Sequence, residues 1–197
     1  MMKRWFLLIV LFLLFLSPRV RADWEPEVDS MARMLAAAES GDRAAGQAAE
    51  ESRAEKLSAL ELDYPAVAFE DLWLLSRLIQ AEAGSAWLDL EWKMAVGEVA
   101  LNRVASPEFP DTLREVALQP GQYYGPYPWY LDHLRPSAES VEAARRLLEG
   151  ERVLKDPSVV FQSNYRLGGG VARVLWDDRL GCTYLCYSAY PEKYAGA

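Results

Sequence analysis

The feature that most constrains the fold is a helix-period apolar pattern that runs directly into a carboxylate. In LLSRLIQAEAGSAW (74–87), Leu75, Leu78 and Ile79 fall at positions i, i+3 and i+4, on one face of a helix. Glu82 lies at i+7 and continues that face. A solvated glutamate belongs on the opposite face of an amphipathic helix. The pattern therefore predicts a core-packed helix that ends at an acidic side chain of unusual placement.

The rest of the chain after residue 66 predicts more helices followed by short strands. Helical signals continue at about residues 88–104, 113–119 and 137–149, and an aromatic loop, GQYYGPYPWY (121–130), interrupts them. After Pro157 the runs VVFQSNY and VARVLW, separated by Leu167 and three glycines, predict a hairpin or a small sheet. The predicted fold class is α+β, mainly helical, with a small C-terminal β part.

The first 22 residues have the pattern of a secretory signal peptide. Lys3 and Arg4 precede an apolar run at 5–16, and Val20-Arg21-Ala22 is a small-residue cleavage site. The apolar run is short for a membrane span, although an uncleaved anchor is an open alternative. We expect an exported protein with no membrane span after signal removal, acting extracellularly or at the cell wall.

Composition divides the remainder into a spacer and one domain. Residues 23–65 are rich in Ala, Glu and Arg and poor in aromatics, which predicts a solvated helical spacer. Residues 66–197 then form the expected catalytic domain. The chain has 197 residues, 51% of them hydrophobic, and this is enough for one domain with a proper core. The oligomeric state is left open.

The charge balance argues against a nucleic-acid partner. Cleavage after residue 22 would remove four basic and no acidic side chains, so the net charge of −8 would become −12. Such an acidic chain gains nothing from phosphate-backbone electrostatics. A neutral or mixed-charge polymer is the more plausible partner.

The cysteines and the single histidine limit metal and nucleophile chemistry. Cys182 and Cys186 are compatible with a strained bridge or with two small core residues. A zinc site using both with His133 would lack a fourth ligand and the usual close spacing. No nucleophile motif lies near His133. The prediction is therefore no metal and no cofactor, and carboxylates remain as the catalytic candidates.

Glu82 is the leading candidate among them. A carboxyl group held against apolar surface has a raised pKa and can stay protonated near neutral pH, as a general acid must. Glycosidic bonds require such an acid, because the departing sugar oxygen is a poor leaving group until it is protonated. The alternative is a helix-end glutamate that is solvated, or that pairs with Arg77 or Arg103.

Five ordered motifs, followed by a similar tail, carry a resemblance to a known family. They are AEAG (81–84), AVGEVALNRV (95–104), FPDTLREV (109–116), PGQY (120–123) and ARRLLEG (144–150). In order and spacing, over roughly residues 70–190, the chain resembles the SleB/CwlJ family of cell wall hydrolases. The resemblance implies a lysozyme-like, mostly helical domain that cleaves the glycan strands of peptidoglycan between N-acetylmuramic acid and N-acetylglucosamine.

The resemblance also implies roles for particular residues. Glu82 matches the family's catalytic glutamate, Asn102 the Asn of its Asn-Arg pair, and Gln122 and Tyr123 its Gln-aromatic pair lining the cleft. A purely structural role stays open for the last three: Asn102 could cap its helix or bond a loop, and Gln122 and Tyr123 could stabilise their own loop. The chain departs from the family after the glutamate, where Gly84-Ser85-Ala86 replaces the common Arg-Gly-Glu.

Three functions follow from these observations. A lone Glu82 favours lytic transglycosylation, in which the sugar's own 6-hydroxyl attacks, and this requires no second carboxylate. Hydrolysis would require a second acid. The candidates for it are Glu91, Glu98, Asp177 and Asp178. The third possibility is a non-catalytic peptidoglycan-binding or scaffolding protein on the same fold.

Overall fold

The computed structural model describes residues 18–59, 66–123 and 128–194. The helices are α1 (Pro18–Ser40), α2 (Arg43–Ala59), α3 (Phe69–Ala83), α4 (Leu90–Val104), α5 (Leu113–Ala117), α6 (Pro128–His133) and α7 (Ala138–Leu148). The strands are β1 (Val159–Ser163), β2 (Val171–Asp177) and β3 (Gly181–Tyr187), and a 3-10 turn follows at Pro191–Tyr194. The predicted α+β class, mainly helical with a small C-terminal β part, is confirmed.

Helices α3, α4 and α7 form the centre of the helical core. The predicted stripe of α3 is there, and Leu75, Leu78 and Ile79 are fully buried. A Cβ atom added to Gly97 of α4 would lie 2.7 Å from side-chain carbons of both Ile79 and Leu147. A larger residue would have to displace the ends of these two side chains, so glycine favours the close approach of the three helices. The side chain of Asp89 caps α4 by accepting from the Trp92 amide at 2.8 Å.

The N-terminal helical hairpin, α1 with α2, packs against this core and differs from the predicted solvated spacer. Its residues Met34, Ala38 and Ala49 are buried in the same apolar cluster as Phe69. Gly46 lies directly against the Phe69 ring, where an added Cβ would come within 1.9 Å of a ring carbon. Small side chains give weak hydrophobic signals in a sequence, yet they allow helices to pack closely.

The predicted signal peptide lies mostly outside the described residues, which begin at Pro18 in α1. Its apolar run at 5–16 and the boundary of the domain at 60–65 also lie outside them. Within the part of the chain that the structure describes, no helix combines the length and apolarity that a membrane crossing requires.

The three strands form one antiparallel sheet in the order β1-β3-β2. The hairpin is formed by β2 and β3, and β1 joins from the other side of β3, so VVFQSNY and VARVLW share a sheet without pairing with each other. Leu175 and Leu185 face α4, where they pack in one cluster with Val96 and Val99. The sheet is thus packed against α4, the helix that follows Glu82.

The cysteines both lie on β3 and are free thiols, with Cys186 buried. Four residues of extended strand span about 13 Å. A disulfide requires Cα atoms within about 7 Å. The bridge considered from the sequence is therefore excluded by the strand geometry.

Candidate active site

A cleft of about 370 Å³ opens where the end of α3, the segment before residue 124 and strand β1 meet. It brings together three of the four residues predicted from the sequence, Glu82, Gln122 and Tyr123. Its remaining lining residues are Arg103, Gly121, Phe161, Gln162, Ser163, Tyr165 and Leu167. A smaller cavity, lined by Trp92 and Thr183 among others, also contacts Glu82.

Glu82 is the last residue of the α3 stripe, and it leaves the core to enter the cleft. Its neighbours on the stripe are fully buried, whereas Glu82 itself is exposed to solvent. The cleft walls still displace much of the surrounding water, and this raises the pKa of the Glu82 carboxyl. A hydrogen bond from Gln162 Nε2 to Glu82 Oε2 at 2.9 Å and the positive charge of Arg103 both act to lower that pKa. The net result is an accessible carboxyl group that holds its proton more tightly than an ordinary glutamate.

A buried lysine fixes the chain immediately after Glu82. Lys93 of α4 is 1% exposed, and its Nζ donates to the carbonyl oxygens of Ala83 at 2.9 Å and Ser85 at 3.0 Å. These carbonyls lie at the C-terminal end of α3, where helix carbonyls lack partners and a cation is favourable. Lys93 was not among the predicted site residues, although a lysine inside the apolar run of α4 is a signal that could have identified it.

Asn102 and Arg103 tie helix α4 to strand β1. Asn102 Nδ2 donates to the Val159 carbonyl at 3.1 Å, and Arg103 Nε donates to the Val160 carbonyl at 2.6 Å. Asn102 is 7% exposed and lies outside the set of residues that line the cleft. Of the two roles considered for Asn102, this geometry is that of a side chain that bonds backbone and positions β1.

Arg103 also carries its charge into the cleft wall. Its guanidinium lies 4.8 Å from the ring centroid of Tyr123, 4.9 Å from that of Phe109 and 5.8 Å from that of Phe161. Aromatic faces stabilise a cation held in this way. Arg103 therefore supports the ring of Tyr123 and provides the positive charge that acts on Glu82.

Tyr123 and Gln122 both line the cleft. Burial raises the pKa of Tyr123 to about 12, so its hydroxyl stays protonated and can donate a hydrogen bond. Within the described residues this hydroxyl has no hydrogen-bond partner, and neither has Oε1 of Gln162. Both atoms are buried in the wall of the cleft, where they stay without a partner in the described part of the chain. Gln162 was missed because its approach to Glu82 depends on how β1 is placed.

Glu98, a candidate for a second acid, holds backbone instead. It is 1% exposed, and its Oε2 accepts from the amides of Val153 at 2.7 Å and Leu154 at 2.9 Å. Both groups belong to the segment that leads from α7 into β1. Glu98 therefore fixes this segment from inside the protein, away from the cleft.

The other three acids have partners near the sheet. Glu91 forms an ion pair with Arg173, Asp177 accepts from backbone amides in the β2–β3 turn, and Asp178 accepts from the Trp176 indole. Among the described residues that line the cleft and the cavity beside it, Glu82 is the one carboxylate.

His133 lies at the end of α6, with Nδ1 2.7 Å from the Trp129 carbonyl oxygen. The helix begins inside the stretch predicted as an aromatic loop, whose residues 124–127 are outside the described set. Over residues 18–59, 66–123 and 128–194, no three His, Cys, Asp or Glu side chains cluster as a metal site requires.

Comparison with known proteins supports the cell wall hydrolase part of the resemblance. Residues 89–166 match the family model described as Cell Wall Hydrolase, and this supports a role as a hydrolase acting at the cell wall. The matched part contains Asn102, Gln122, Tyr123 and Gln162 and begins after Glu82. No curated protein and no solved structure matches the chain significantly.

Proposed function

We propose that the protein is a lytic transglycosylase of the SleB/CwlJ type, which cleaves peptidoglycan between N-acetylmuramic acid and N-acetylglucosamine. Glu82 is the single catalytic acid. The observation that carries this proposal is that Glu82, with its raised pKa, is the one carboxylate among the described residues lining the cleft. The match to the cell wall hydrolases supports the substrate class.

The chemistry requires one carboxyl group to act twice. Protonated Glu82 gives its proton to the bridging oxygen as the bond from that oxygen to C1 of N-acetylmuramic acid breaks. The resulting carboxylate then accepts the proton of the 6-hydroxyl of the same sugar while O6 bonds to C1. The products are a 1,6-anhydro end and a free 4-hydroxyl, and Glu82 is protonated again.

The neighbouring groups have supporting roles. The exposed Gln122 amide can hydrogen-bond sugar hydroxyl and acetamido groups, and the Tyr123 ring offers an apolar edge. Gln162 and Arg103 stabilise the Glu82 carboxylate that forms after the first proton transfer. Asn102 keeps β1, and with it Gln162, at the cleft.

Product analysis tests the mechanism. Purified peptidoglycan is digested, and the fragments are weighed by mass spectrometry before and after borohydride reduction. A 1,6-anhydro end is lighter by one water and does not take up hydride, so anhydro ends are expected. Reducible ends would instead indicate hydrolysis, and Glu98→Gln and Asp177→Asn would then be compared. Because Glu98 also holds backbone amides, only a variant that loses cleavage with its thermal unfolding unchanged would identify the second acid.

The site of action follows from the same proposal. Peptidoglycan lies outside the cytoplasmic membrane, and the signal-like segment ends at Ala22, so the mature protein begins at Asp23 and acts in the wall. Amino-terminal sequencing of the protein recovered from the exported fraction tests this. An intact Met1 form confined to the cytosol contradicts it.

A further inference from the structure

A second groove, on the outer face of the sheet, adjoins the cleft. Its volume is about 680 Å³, within the range of ligand sites. It is lined by Arg166, Leu167, Gly168, Gly170, Val171, Val174 and Tyr184. Leu167 lines both the groove and the cleft, and Tyr165 lines the cleft. The connection between β1 and β2 therefore lines both the cleft and the adjoining groove.

The walls of the groove are mainly aliphatic and open to solvent. Leu167, Val171 and Val174 supply alkyl surface, and Val174 is 48% exposed. Val174 lies opposite Tyr184 in the β2–β3 register, on the face turned away from buried Leu175. Neighbouring exposed apolar side chains of this kind mark a binding surface more often than an isolated one does.

Arg166 lines the groove and has no acidic partner among the described residues. The Arg166 guanidinium lies 5.8 Å from the ring centroid of Tyr184, and it makes no ion pair with any residue in the described ranges. The residues lining the groove include no carboxylate. In a protein with a net charge of −8, an arginine left in this state is suited to bind an anionic ligand, and its planar fork matches a carboxylate.

We propose that this groove binds the acidic stem peptide carried by the N-acetylmuramic acid in the cleft, and that Arg166 pairs with one of its carboxylates. The inference rests on the proposed function. A stem peptide combines small alkyl side chains with carboxylate groups, which the aliphatic walls and Arg166 complement. A further length of glycan would require several hydrogen-bonding side chains, and the groove lining offers only the Arg166 guanidinium and the Tyr184 hydroxyl.

The test compares two substrates and three proteins. Peptidoglycan strands are used intact or after an amidase has removed their peptides, and kcat/KM is measured for the wild type, Arg166→Met and the control Arg33→Met. Arg166 and Arg33 are both exposed, and Arg33 lies on α1. We expect kcat/KM to be higher on intact strands than on peptide-free strands for the wild type and Arg33→Met. In Arg166→Met, the ratio of the two kcat/KM values should fall about tenfold.

An equal rate on both substrates for the wild type, or an unchanged preference in Arg166→Met, overturns the inference and leaves the proposed function standing. Failure of the wild type to cleave either substrate overturns both. An independent readout is the affinity of the Glu82→Gln protein for the disaccharide with and without its tetrapeptide. Combining Glu82→Gln with Arg166→Met should weaken binding of the peptide-bearing disaccharide alone. An equal loss of affinity for both disaccharides contradicts the inference.

Discussion

Gln162 Nε2 donates a hydrogen bond to Glu82 Oε2 at 2.9 Å, and this contact joins the end of α3 to strand β1 across 80 residues of sequence. The donor stabilises the ionised form of Glu82, so it opposes the effect of the cleft walls on the pKa. Gln162 therefore influences the pH range in which Glu82 can act as an acid.

Replacing Gln162 with Leu should shift the pH profile of cleavage. Without the donor the pKa of Glu82 rises further, so the alkaline limb of kcat/KM, which reports loss of the protonated acid, moves to higher pH. Gln47→Leu, a change on α2 away from the cleft, should leave the pH profile the same as that of the wild type. An alkaline limb that stays fixed or moves to lower pH in Gln162→Leu would argue against this role.

Glu82→Gln should change the pH dependence of stability. Because the pKa of Glu82 is raised in the folded state, the folded protein binds this proton more tightly than the unfolded chain, and wild-type stability declines as pH rises through that pKa. Glutamine stays neutral. In thermal unfolding, the stability of Glu82→Gln should rise relative to that of the wild type as the pH increases from 4.5, the ordinary pKa of glutamate, toward neutrality. A constant difference across that range would contradict the pKa direction.

Lys93→Met should destabilise the protein by about 2 kcal/mol, because the Ala83 carbonyl loses its lysine donor and the Ser85 carbonyl keeps only the Leu88 amide. Urea unfolding measures this, and the exposed Lys155→Met is the matched control with an expected change near zero. Cleavage should fall as well, since the turn after Glu82 is no longer fixed. A Lys93→Met protein as stable as the control would show that these bonds contribute little.

Gly46→Ala tests whether the N-terminal helical hairpin is part of the folded unit. Alanine has a higher helix propensity than glycine, yet its methyl group would overlap the Phe69 ring. We therefore expect the free energy of unfolding to fall by about 1 to 3 kcal/mol. Ala44→Ser, on the exposed face of α2, adds one heavy atom without a clash and serves as the control. A stabilised Gly46→Ala protein would mean that the hairpin does not pack tightly on Phe69.

The local patterns of the chain predicted the helices and the position of Glu82 well, because period and capping residues are properties of neighbouring positions. They did not predict that Glu82 is solvent-exposed, since the stripe alone does not show where the core ends. Gln162 was missed for a related reason: it reaches Glu82 only because β1 pairs with β3 and is held by Asn102. Such long-range pairings leave no periodic signal in the sequence.

The packing of the N-terminal helical hairpin was hidden by its composition. Alanine and glycine suggest a solvated segment when they are counted, but at Ala38, Gly46 and Ala49 they are the residues that fit against the core. Whether such a face is covered depends on its shape relative to Phe69 and the neighbouring helix, and shape complementarity cannot be read from a single segment.

The most direct test of the central claim is cleavage of purified peptidoglycan by Glu82→Gln beside the wild type, with thermal unfolding of both. The substitution keeps the size of the side chain and its bond to Gln162 while removing the proton donor. We predict at least about a 10²-fold loss of cleavage in a protein that remains folded. Wild-type cleavage by folded Glu82→Gln would contradict the assignment of Glu82 as the catalytic acid.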